Sequence, residues 1–383
     1  MVDTLARKGP ARRPSRAKKA GETFDPPDAF LMRAVGRGRR CAPDEFVPRR
    51  GRTLVIHFAL LIGCAVAIYL SCEWFVNAVE WLGRRLKVGT VAVGTVLAAI
   101  GTALPESVVT FVAVAFGDTP EQRDLGVGAA MGGPLALATV AYGVIGWSLL
   151  ASRRRGAPQD WGDVDKLAKD QTWFIAVFAV KVGLGVVAFA IKPWLGFLFF
   201  AVYAAYCVRE MRRQDSDSGE DELAPLKLQR RRATPATWAV VAQTLGALAV
   251  IFAASRLFVL QLDAVGPMLG LPATLTALLL APIATELPEI MNAVIWVRQG
   301  KTKLALANVS GSMMIQATVP SGFGLLFTPW RLDSPLLIAG GVTMLAVVYL
   351  LITLRSGRLS VRRLSIVGAF YGLFAVALVP VFS

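Results

Sequence analysis

Two glutamates stand inside apolar runs long enough to cross a bilayer. Glu106 follows Pro105 within TVLAAIGTALPESVVTFVAVAFG (95–117), and Glu289 follows Pro288 within LLLAPIATELPEIMNAVIWVRQG (278–300). Proline leaves the carbonyl one turn earlier without its helical donor. A carboxylate at that depth is a functional group by default, because burying it is costly. Two such carboxylates can hold a cation or share a proton, and carbonyls freed at a helix break add further oxygens.

The two runs are copies. Adding 183 takes Ile68 to Ile251, Phe75 to Phe258, Gly83 to Gly266, Thr102 to Thr285 and Glu106 to Glu289. The register continues without a gap through Gly117 and Gly300, Gly128 and Gly311, and Met131 and Met314, to Trp147 and Trp330. The chain carries an internal duplication.

The elements that position the glutamates are long apolar segments at 54–82, 88–116, 125–150, 172–191, 193–208, 237–262, 273–297, 304–328, 335–354 and 364–382. Each reaches or approaches the roughly 20 residues that span the hydrocarbon. The pattern predicts an all-α integral membrane protein of ten transmembrane helices. Residues 1–52 read as a basic disordered tail, 53–208 as a first five-helix half, 209–236 as a charged linker and 237–383 as a second five-helix half. Five is an odd number, so the second half must enter the membrane the other way up, and the repeats are inverted. Inverted repeats with interrupted helices and a site at their interface mark secondary transporters.

With 55% apolar residues, the composition excludes an ordinary soluble domain. The net charge of +15 could suggest nucleic acid, but the basic residues gather in the tail and in alternate loops. Loops after the first, third, fifth, seventh and ninth segments hold 22 Lys and Arg, whereas those after the second, fourth, sixth and eighth hold only Arg123, Lys192 and Arg331. The first set is expected in the cytoplasm, which places the tail, with its 14 Lys and Arg, outside, against the same rule. No secretory signal peptide is visible, and Cys41, Cys64, Cys72 and Cys207 suggest no disulfide framework.

The stretches Gly101–Glu106 (G-T-x-x-P-E) and Ala284–Glu289 (A-T-x-L-P-E), with Gly311 and Ser312 following Asn308, resemble the two alpha-repeats of the cation/calcium exchanger superfamily. The resemblance covers residues 53–383. It implies that Glu106 and Glu289 bind calcium with oxygens near Thr102 and Thr285, and that neighbouring Ser, Asn or Asp positions such as Asn308, Ser312 and Gln316 complete sites for sodium. The physical logic agrees. Calcium takes 6–8 oxygens, the two glutamates supply four oxygens and two formal charges, and Pro105 and Pro288 free carbonyls beside them.

Departures from the motif matter. The first repeat has Ala103, Ala129 and Gly133 where the resemblance implies polar side chains, and the second has Glu286 in place of a serine. A third carboxylate among like charges favours uptake of a proton, so Glu286 is the expected proton-coupling residue. Glu73, Asn77 and Glu80 share one face of the first segment, with Arg256 and Asp263 at the matching places in the sixth. This spacing predicts a Glu73–Arg256 contact. Lys181, in mid-segment, should pair with a carboxylate or line water.

The sequence therefore predicts a secondary active cation antiporter of a bacterial plasma membrane, not an enzyme, exchanging calcium for sodium or protons. It needs no cofactor, and its partners are the lipid bilayer and the transported ions, not nucleic acid. A monovalent cation/proton antiporter and a degenerate, non-transporting scaffold are the alternatives. Oligomeric state and ion stoichiometry are left open.

Overall fold

The computed structural model describes residues 47–89, 92–117, 120–152, 161–212, 223–268 and 279–382. Most of the predicted tail, the centre of the charged linker and the start of the seventh predicted segment lie outside them. The chain divides at Arg50 and Gly51, and the second unit, Gly51–Ser383, holds the site.

Every regular element among the described residues is a helix, with no strand among them. In chain order they form α1 (Val47–Leu86), α2 (Ala99–Phe116, entered through a π-helical turn at Val93–Ala98), α3 (Pro120–Ala136), a second π-helical turn (Leu137–Ala141) and α4 (Tyr142–Ala151). Then come α5 (Val164–Val186), α6 (Leu195–Arg212), α7 (Thr237–Met268), α8 (Ala281–Thr285), α9 (Leu287–Arg298), α10 (Thr302–Phe327), α11 (Ser334–Arg355), α12 (Val361–Val367) and α13 (Ala369–Phe382). Asp163, Asp333 and Ser360 cap α5, α11 and α12, each accepting from the backbone N–H three residues on. These bonds satisfy donors that a helix start leaves free.

Among the described residues, six helical stretches are long and apolar enough to cross a membrane, and a bent pair, Val93–Ala103 with Glu106–Phe116, makes a seventh. The chain is a multi-pass membrane protein. Of the ten predicted segments, those corresponding to α5 and α10 are helical but more polar. Lys166, Asp170 and Lys181 lie on α5, and the buried Asn308, Ser310, Ser312 and Gln316 on α10.

Helix α10 is the centre of the packing, touching α2, α3, α5, α6 and α9. Its approach to the first π-helical turn depends on glycine. A Cβ at Gly94 would come 2.9 Å from the Ala307 Cβ, and one at Gly311 would run into the Thr95 backbone. Small residues at such crossings let backbones meet.

The polar stripe on α1 serves assembly. Asn77 Oδ1 accepts from Lys227 N and from Gln243 Nε2, each at 3.0 Å, and its amide donates to the Ala224 and Pro225 carbonyls. The described end of the charged linker is thereby docked on α1, with Leu226 buried against Ala78, Trp81, Ala239 and Val240. Glu80 accepts from Trp296 Nε1 at 2.9 Å and pairs with Lys301 at 2.5 Å. The predicted Glu73–Arg256 contact does not form. Glu73 pairs with Lys227 at 3.1 Å, whereas the Arg256 guanidinium stacks on its own helix over Phe252. The linker lysine folds back within reach of Glu73, a tertiary contact that repeat symmetry does not reveal.

Candidate functional site

The two Pro-Glu motifs fold differently. In the first half, α2 runs through Pro105 and Glu106 with a 48° bend between its two parts. In the second half the helix stops. Thr285 ends α8, Glu286 takes a non-helical conformation (φ −86°, ψ 7°), and α9 restarts at Leu287 with Pro288 in its first turn. Proline is well tolerated there, because the N–H it lacks would have had no helical acceptor. Glu286 is therefore the hinge residue between two short helices as well as an extra carboxylate.

The three glutamates lie within reach of one another's charge, although among the described residues no three His, Cys, Asp or Glu side chains are already gathered closely enough to hold a metal ion. Glu106 and Glu286 both lie within electrostatic reach of Glu289, and Glu286 within reach of Glu106. Glu286 and Glu289 are buried and Glu106 is half-buried. Around them stand Asn308, Ser312 and Gln316 on one side of α10, all buried. Gln316 Nε2 donates to Glu286 Oε1 at 3.0 Å, and Asn308 Nδ2 donates to the Glu289 carbonyl at 3.3 Å, which fixes the amide orientation of each.

Thr102 lies beside the Glu289 carboxylate while its hydroxyl donates to the Ala98 carbonyl at 3.1 Å. Thr285 donates to the Pro282 carbonyl at 3.2 Å. Both hydroxyls thus point their protons back along their own helices, as threonine in an apolar helix usually does.

Several acceptors in this cluster have no hydrogen-bond partner: one oxygen each of Glu106 and Glu286, both of Glu289, Asn308 Oδ1 and Ser312 Oγ. Among the described residues no lysine or arginine pairs with any of the three glutamates. Buried polar atoms are nearly always satisfied, and an uncompensated buried charge is strongly unfavourable. A group of orphaned anionic and neutral oxygens has the chemistry of a ligand set for a hard cation, or for protons when that cation is absent.

Two residues at this place escape sequence reasoning. Asn292, one helical turn beyond Glu289, is completely buried with both ends of its amide unpartnered. Its counterpart in the first half is Val109, so repeat symmetry gives no hint of it; the signal available was its i+3 spacing from Glu289. Cys72 is the other, its thiol donating at 3.7 Å to the carbonyl of Pro288, immediately before Glu289. Among the described residues Lys181 meets no carboxylate within ion-pairing distance. It is wholly buried and donates to backbone carbonyls of Ala130 and Gln316.

Comparison with known proteins agrees with this architecture. The chain is 26% identical over 306 residues to the inner membrane protein YrbG of Escherichia coli (strain K12), covering 79% of this chain and 88% of that protein. It is 27% identical over 310 residues to CaxA of Alkalimonas amylolytica, by its name a presumed antiporter, covering 80% and 92%. Among solved structures, the sodium-calcium exchanger NCX_Mj soaked with 10 mM Na+ and zero Ca2+ superposes with a TM-score of 0.66 at 17% identity, over 85% of this chain and 99% of that one. The same exchanger soaked with 100 mM Na+ and 10 mM Sr2+ gives a TM-score of 0.65 at 18% identity, over 85% and 98%. At such identities the likeness establishes the fold. The profile of the family described as sodium/calcium exchanger protein matches twice, over residues 56–211 and 239–380, and the chain belongs to that family.

Proposed function

We propose that this protein is a secondary antiporter of a bacterial plasma membrane that exchanges calcium for sodium or protons by alternating access, through two inverted five-helix halves. One family match in each half and the constant offset of 183 support the two repeats. The reading rests chiefly on one observation: three carboxylates within electrostatic reach of one another, two buried and one half-buried, with orphaned oxygens and no ion pair among the described residues. Such a site is stable only when cations or protons neutralise it.

In this reading Glu106 and Glu289 hold the divalent cargo with oxygens of Asn308 and Ser312, near Thr102 and Thr285. Glu286, oriented by Gln316, takes the proton or monovalent ion on the return half of the cycle. One ligand set that serves two cargoes in turn makes their exchange obligatory, because each can shift the conformational equilibrium only while it occupies the set. In this reading the bend at Pro105 and the helix stop before Pro288 support a site between the two halves, the usual place in such transporters.

The loss of side-chain oxygens at Ala103, Ala129 and Gly133 favours a second reading, monovalent cation/proton antiport. Flux into proteoliposomes separates the two. Radioactive calcium uptake driven by internal sodium or by a pH gradient, and absent in Glu106→Gln, supports calcium exchange and identifies the driving ion. Sodium or potassium movement against protons without calcium movement would replace it with the second reading.

A further inference from the structure

Two prolines interrupt the central helices, Pro134 inside α3 and Pro320 inside α10. A proline has no N–H to give to the carbonyl four residues earlier. Those residues are Ala130 and Gln316. Both carbonyls accept from one group: Lys181 Nζ lies 2.6 Å from the Ala130 oxygen and 3.4 Å from the Gln316 oxygen.

The lysine reaches them from α5. It is fully buried, its ammonium stands 5.2 Å from the centre of the Phe178 ring and 6.0 Å from that of Trp330, and among the described residues it meets no carboxylate within ion-pairing distance. Trp330 is itself fixed. Its indole N–H donates to the Lys181 carbonyl at 3.1 Å, and its backbone takes a positive φ of 47°.

Carbonyls freed at helix interruptions and the faces of aromatic rings are both seats for small cations. We propose that this is a monovalent-cation seat whose occupant is covalently attached: the Lys181 ammonium acts as a tethered cation that joins α3 to α10. It is also a positioning residue. By holding the Gln316 backbone it sets the amide that donates to Glu286 Oε1 at 3.0 Å, a last link that rests on the function proposed above.

The test uses the full chain carrying Lys181→Ala, purified in sodium-free choline chloride, with ammonium, methylammonium or sodium added in turn. Thermal midpoint and transport are read in each. A lowered midpoint and lost transport in choline, restored by ammonium or methylammonium and not by additional choline, is the expected result. A variant that matches the wild type in choline overturns the proposal, as does a folded but inactive variant that none of the small cations restores.

Should Lys181→Ala fail to fold, Lys181→Met combined with Pro134→Ala and Pro320→Ala returns a helical N–H to each freed carbonyl. Recovery of a folded protein by the triple variant supports the seat, and failure to recover contradicts it. The thermal arm involves neither calcium nor flux, so its outcome is independent of whether the glutamates exchange calcium.

Discussion

Glu286 Oε1 occupies the space that a side chain at residue 133 would fill. A Cβ added to Gly133 would come 2.7 Å from that oxygen and 3.1 Å from the Gln316 side-chain amide. The resemblance implies a polar side chain at position 133, and here the second half supplies the oxygen instead, from Glu286. The side chain missing at Gly133 and the carboxylate gained at Glu286 thus fall at one place in the site.

That relationship predicts a compensated pair. Gly133→Asn should overpack the site and destabilise the protein by about 1–3 kcal/mol, with loss of transport. Adding Glu286→Ser, which vacates the space and returns the oxygen to the first half, should recover much of both. Thermal midpoints and calcium uptake for the two singles and the double provide the check.

Neutralising a site glutamate should separate stability from function. Glu289→Gln removes a buried charge that lacks a counter-charge among the described residues, so the cation-free protein should melt at the same temperature or higher. The added stability from cargo should disappear. Calcium at 100 times its Kd should raise wild-type stability by about 2.7 kcal/mol, and this increment should be absent from Glu289→Gln in paired melts with calcium and with chelator.

Asn292 offers a sharper separation, since its amide makes no hydrogen bond. Replacing an unsatisfied buried polar group by an apolar one of similar shape is neutral or stabilising. Asn292→Leu should therefore hold or raise the cation-free melting temperature while weakening cation affinity about tenfold, or about 1.4 kcal/mol. A fall in stability with unchanged affinity would make Asn292 a packing residue.

Asn77→Leu should release the linker from α1. The substitution leaves Lys227 N and the Pro225 carbonyl without their Asn77 partner, while the Ala224 carbonyl keeps the Trp81 indole N–H at 2.9 Å, at about 1–3 kcal/mol for each group that stays buried and unpaired. Limited trypsin digestion should then cut at Lys227 or Arg230 much faster than in the wild type, a change that Edman sequencing or mass spectrometry of the fragments would locate.

How far the sequence could be read follows from where each signal resides. The Pro-Glu pair and its register were visible because spacing along the chain is preserved in both halves, and hydropathy exposed the helical membrane architecture. Glu286 was visible as an extra charge, but its place at the end of α8 was not, since the first half bends at the equivalent point without stopping. The partners of Lys181 among the described residues are backbone carbonyls, which have no letter in a sequence. Symmetry pairs Glu73 with Arg256, yet its partner, Lys227, comes from the linker, which lies outside both halves. Asn292 has no polar counterpart to mark it, because Val109 stands in the corresponding place.

The central claim is that the orphaned oxygens around Glu106, Glu286 and Glu289 are the cargo's ligands. Anomalous diffraction from crystals grown with strontium in place of calcium tests it most directly. The expected result is a peak within coordination distance of oxygens of Glu106 and Glu289, at or slightly beyond the long end of the roughly 2.3–2.6 Å range of calcium ligands because strontium is the larger ion, which disappears in Glu289→Gln. A strontium peak elsewhere in the molecule, with none between these glutamates, would contradict it.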